Sequence, residues 1–92
     1  MKKEVKIILC SGISITLTDK DEIDLTTLSY EMLRNEQFSN IKEIPRLIID
    51  MDKEGLVFIK HKTSTGEYME YTIPRDKITW CYYSEVPEKD EE

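Results

Sequence analysis

The sequence predicts a small α+β domain: a mainly antiparallel, curved sheet or half-barrel of about six short strands, with one covering helix after the first two. Three observations carry this. Val5, Ile7 and Leu9, and then Ile13, Ile15 and Leu17, alternate with polar residues at the period of a half-buried strand. Leu25, Leu28, Met32 and Leu33 recur at helical spacing. Beyond Pro45 the chain breaks into short apolar runs separated by turn residues.

Taken in order, Ser11-Gly12 supplies a turn or bulge between the first two strands. The stretch from Asp19 to Asp24 breaks the alternation, and Asp24 is the expected N-cap of a helix over 25–36. Residues 37–45 have no clean period and contain Pro45, which has no N–H for a ladder, so they form a connection. Four strands then follow at 46–51, 56–62, 67–73 and 78–86. The turns between them are short, which predicts an antiparallel meander.

A chain of 92 residues holds one core and not two. With 39% hydrophobic and 35% charged residues it is far from the compositions of disordered chains, so residues 1–86 are expected to form a single domain. Residues 85–92 set Glu85, Glu88, Asp90, Glu91 and Glu92 against Lys89 alone. Much of the formal charge of −6 therefore belongs to an expected disordered acidic tail at 87–92 rather than to the folded surface. Glu4 and Lys6 interrupt the opening apolar residues, leaving Ile7, Ile8 and Leu9, too short a run for a signal peptide. No stretch approaches a membrane span. The expected location is the cytoplasm, with no membrane partner, and Cys10 and Cys81 are expected to be free thiols.

Motifs for chemistry are sparse. Asp50-Met51-Asp52-Lys53-Glu54-Gly55 imitates the opening of a calcium loop, but the twelfth position holds His61 where a bidentate Glu is required. A tight acidic turn explains the same residues. His61 is the only histidine and lies between Lys60 and Lys62, the setting of a solvated residue, and no metal-ligand spacing surrounds it. The glycines are isolated, and there is no nucleophile elbow or metalloprotease helix. The chain is accordingly not expected to be an enzyme, nor to carry a cofactor or metal.

The aromatic residues are more informative. Trp80, Tyr82 and Tyr83 lie in one expected strand, Tyr68 and Tyr71 in another, and Phe58 in a third, more rings than one sheet face can bury. Trp80 and Tyr71 are expected in the core, with Trp80 the most costly core residue to remove. Lys60, His61, Lys62, Tyr68, Arg75 and Tyr83 form the expected partner-binding face.

The function expected from this is a small non-catalytic binding or regulatory protein acting through a protein partner. Homodimerisation is expected because a small sheet leaves open edges. Its composition suggests a bacterial, phage or plasmid accessory protein, such as an inhibitor of a nucleic-acid enzyme. The alternative is a module that binds a nucleotide or single-stranded nucleic acid on the aromatic and basic face. Its weakness is the acidic charge.

Overall fold

The computed structural model describes residues 1–30, 32–36 and 40–87. The opening alternation folds into a hairpin of β1 (Lys2–Leu9) and β2 (Ser14–Thr18), paired antiparallel with Val5 opposite Leu17 and Ile7 opposite Ile15. These four side chains are buried. Gly12, with φ of 94°, takes the left-handed conformation in the turn, where only glycine is free of a Cβ clash.

The region read as a helix is instead a second hairpin. β3 (Glu22–Ser29) and β4 (Met32–Glu36) pair antiparallel, and Asp24 lies within β3 rather than capping a helix. Residue 31 of that expected helix lies outside the described residues. Leu25 and Leu28, three apart, point to opposite faces of β3, and their helical spacing is an accident of a strand that carries leucine on both sides. The threonines between them favour a strand, because a β-branched side chain is restricted in a helix. Tyr30, at the turn, adopts φ of 51° and is 80% exposed.

The helix lies later. After residues 37–39 of the expected connection, which are outside the described set, a 3-10 turn (Ile41–Glu43) leads into α1 (Ile44–Ile49). The Asn40 side chain accepts from the Lys42 N–H to start the turn. Pro45 sits at the first turn of α1, where its missing N–H leaves no intrahelical bond unmade. Ile41, Ile44 and Ile48 form one stripe, and all three are buried. The expected strand at 46–51 is therefore mostly helix, because that stripe is worth more inside the core than along an edge.

Three strands complete the chain: β5 (Leu56–Lys62), β6 (Tyr68–Pro74) and β7 (Ile78–Val86). They do not form one meander. β5 pairs with β3 and β6, giving a sheet of order β4-β3-β5-β6, whereas β7 crosses to β1 and gives a sheet of order β2-β1-β7. Among the described residues seven strands thus replace the expected six, the helix follows four of them and not two, and the sheets do not close into a half-barrel.

The core lies between the inner faces of the two sheets and the helix stripe. Val5, Ile7, Ile15 and Leu17 come from one sheet, Leu25, Val57, Ile59 and Ile73 from the other, and Ile44 and Ile48 from α1. Arg75 ties these parts together: its Nε donates to the Ile48 carbonyl at 2.8 Å and its backbone N–H to Gly55 at 2.9 Å. No helix among the described residues is long and apolar enough to cross a membrane.

Candidate functional site: an aromatic sheet face

Period-two alternation sends Val5 and Ile7 of β1 and Cys81 and Tyr83 of β7 toward the core, so Lys6, Ile8, Trp80 and Tyr82 must project from the opposite face. The register sets Ile8 opposite Trp80 and Lys6 opposite both Tyr82 and Thr16. Trp80 and Tyr82, two residues apart, stack with ring centroids 4.7 Å apart and planes 21° apart. The Trp80 expected in the core is 53% exposed. The inner position beside it belongs to Cys81, whose Sγ faces the Pro45 carbonyl at 3.9 Å and leaves no room for an indole.

Charge on this face differs from that of the whole chain. Lys2 pairs with Glu4 at 3.4 Å. Lys6 lies beside Tyr82, with Glu4 two residues before it on the same face. Ser14, Thr16 and Ser84 add small hydroxyls around the rings.

The six residues expected to bind a partner do not share one surface. Lys60, Lys62 and Tyr68 do meet, on the outer face of the four-stranded sheet, where Lys62 is opposite Tyr68. Their charges are matched across the strands, Lys60 lying between Asp24 and Glu70 and Lys62 opposite Glu22. The exposed Tyr68 hydroxyl donates to Glu70 at 2.6 Å. Arg75 is engaged with Ile48 and with the Ile78 carbonyl at the start of β7. Tyr83 is on the inner face of the other sheet, with the Lys42 ammonium 5.8 Å from its ring. Desolvation, and then the hydrogen bond its hydroxyl donates to Glu85 at 2.8 Å, push its pKa up to about 12.

His61 is the largest departure from expectation. It is 3% exposed, because its parity on β5 is that of Val57 and Ile59. Its Nε2 lies 2.7 Å from Asp21 Oδ2. The same oxygen accepts the Thr18 N–H at 3.0 Å, so Asp21 fastens the end of β2 to β5 of the other sheet. Burial by itself would raise the pKa of Asp21, but the hydrogen bonds from His61 and Thr18 hold the carboxyl below its ordinary value. A carboxylate only accepts, so the Nε2 of His61 carries the proton, and Nδ1 is buried with no partner among the described residues. This geometry joins two sheets. An open cleft of about 740 Å³, lined by Lys2, Thr16, Thr18 and Ser64, lies over it. The sequence offers no hint of the pairing, since Asp21 and His61 are 40 residues apart.

A second open cleft separates the β3–β4 hairpin from α1, lined by Met32, Leu47, Met51 and Asp52 among others. The Tyr30 hydroxyl bonds to the Asp52 carboxylate, which raises the phenol pKa. Both cysteines are free, Cys10 exposed and Cys81 partly buried.

Comparison of the chain with protein-family models, with curated proteins and with solved structures gives no match. Its class rests on architecture alone: a small two-sheet α+β protein with a stacked aromatic pair on an open sheet face.

Proposed function

We propose that this is a small non-catalytic binding or regulatory protein whose protein partner docks on the outer face of the β2-β1-β7 sheet. The observation that carries this is the stacked Trp80–Tyr82 pair, in which Trp80 is exposed and Tyr82 half-buried. An indole left half in water forgoes the ~25 cal/mol per Å² that burial provides. Stacking fixes both rings before a partner arrives, so little rotamer freedom is lost on docking. A rigid aromatic anchor with one cation and a rim of hydroxyls has the composition of a protein hot spot.

The stacked rings beside Lys6 also support a second reading, in which a base of a nucleotide or of single-stranded nucleic acid stacks on Trp80. The net charge of −6 disfavours a polymer of phosphates. One experiment addresses both. The protein and its Trp80→Ala, Tyr82→Ala double variant are immobilised side by side and exposed to host extract, and each is also screened by thermal shift against nucleotides and short oligonucleotides. The proposal expects a protein retained by the wild type and lost by the variant, with no nucleotide shift. A protein retained equally by both overturns the face. A nucleotide shift abolished by the variant, without protein capture, supports the second reading.

A further inference from the structure

The open edge of β7 is the least protected strand edge in the fold. β2 and β4 are five residues long, β4 carries Arg34, and β6 carries Glu70 and ends on Pro74. Short strands, charges and proline are the usual devices that discourage edge-to-edge pairing. β7 is nine residues long and has no charged residue from Ile78 to Ser84.

The hydrogen-bond register shows which backbone groups that edge presents. The Lys3 carbonyl accepts from Asp19 at 3.2 Å and the Leu9 N–H donates to Ile13 at 2.9 Å, so the odd residues of β1 turn toward β2. In an antiparallel ladder alternate residues turn to opposite sides. Lys6 and Ile8 therefore bond to β7, through their partners Tyr82 and Trp80. Cys81, Tyr83 and Glu85 are left with N–H and C=O directed outward, and among the described residues no backbone group engages them. The register shift at Ile8/Leu9 confines the irregularity to Thr79, so β7 is regular from Trp80 onward.

We infer that this edge pairs with the β7 edge of a second copy of the chain, antiparallel about a two-fold axis at Tyr83. That register matches the whole regular stretch with itself. Cys81 faces the partner's Glu85, Tyr83 faces the partner's Tyr83, and Trp80 faces the partner's Val86. Trp80 and Val86 are the exposed large hydrophobic residues of β7, 53% and 38% exposed, and the pairing sets each beside the other. The only acid of the strand, Glu85, meets an uncharged Cys81 rather than its own copy, so no like-charge contact opposes the pairing. The two β2-β1-β7 sheets become continuous, and both Trp80–Tyr82 pairs lie on one surface. Pairing of the two edges does not depend on what docks on that surface.

Amide hydrogen exchange by NMR across a range of protein concentrations, with light scattering for mass, tests the inference. The amides of Cys81, Tyr83 and Glu85 are expected to gain protection together as the mass rises to that of a dimer, while those of Tyr82 and Ser84 are protected throughout. Glu85→Pro removes a donor from the open edge and leaves the β1 ladder intact, so it is expected to keep the melting temperature and weaken the dimer at least tenfold. A chain that stays monomeric at millimolar concentration overturns the inference. So does a dimer in which those three amides exchange as they do in the monomer, or one that Glu85→Pro leaves unchanged.

Discussion

Replacing Asp21 by alanine removes the acceptor for both the His61 ring and the Thr18 N–H. His61 is then enclosed, at 3% exposure, with neither ring nitrogen partnered, since Nδ1 already has none among the described residues. Leaving one buried donor unsatisfied costs about 1–3 kcal/mol. In a domain of this size 1 kcal/mol moves the melting temperature by about 4–8 °C, so Asp21→Ala is expected to lower it by roughly 5–20 °C. Thermal melts followed by circular dichroism measure this, and a double variant adds a sharper control. His61→Leu in the Asp21→Ala background removes the stranded imidazole and is expected to recover much of the loss, because deleting both partners is far less costly than deleting one. If Asp21→Ala melts within the roughly 0.5 kcal/mol typical of surface changes, the carboxylate does not join the sheets.

The same pair sets an acid limit: the folded-state pKa of Asp21 is depressed, so its contribution is complete above the ordinary carboxylate value and is lost as pH falls through the depressed one. Wild-type melts should therefore fall below about pH 4 more steeply than those of Asp21→Ala; parallel curves would contradict the assignment. Leu25→Ala, at a site with no exposure, should cost about 2–5 kcal/mol in denaturant titrations, whereas Trp80→Ala should cost about 1 kcal/mol or less because its ring is half in water. Gly55→Ala should destabilise by about 1–3 kcal/mol, since a Cβ there would lie 2.5 Å from the Leu28 carbonyl oxygen; a neutral result would show that the β3–β5 contact yields.

Much of the strand content was legible because alternation is a local property: Val5 to Leu17 and Leu56 to Ile73 fold where their period places them. The helix was misplaced because two sheet faces can imitate a helical stripe. Leu28 lies opposite both Leu33 and Leu56, an apolar row on the outer face of the four-stranded sheet, and that outer leucine, added to the inner Leu25, mimics a helical period. The true helix was written in Ile41, Ile44 and Ile48, with Asn40 before them and Pro45 at the first turn, but it is short, and its stripe is easily taken for strand. The candidate face was legible as an excess of aromatic residues and not as a location. β7 crosses to β1, a long-range pairing that no local pattern encodes, and the crossing turns Tyr83 inward and Trp80 outward.

The central claim, that Trp80 and Tyr82 form the docking surface, is tested most directly by the affinity of a captured partner for two folded variants. One is Trp80→Ala with Tyr82→Ala; the other, on the opposite sheet, is Lys60→Ala with Tyr68→Ala. The account predicts a loss of about 30-fold or more for the first, the ~2 kcal/mol of a hot spot, and a change of less than about threefold for the second. A first variant that binds as the wild type does, with the loss confined to the second, would contradict it.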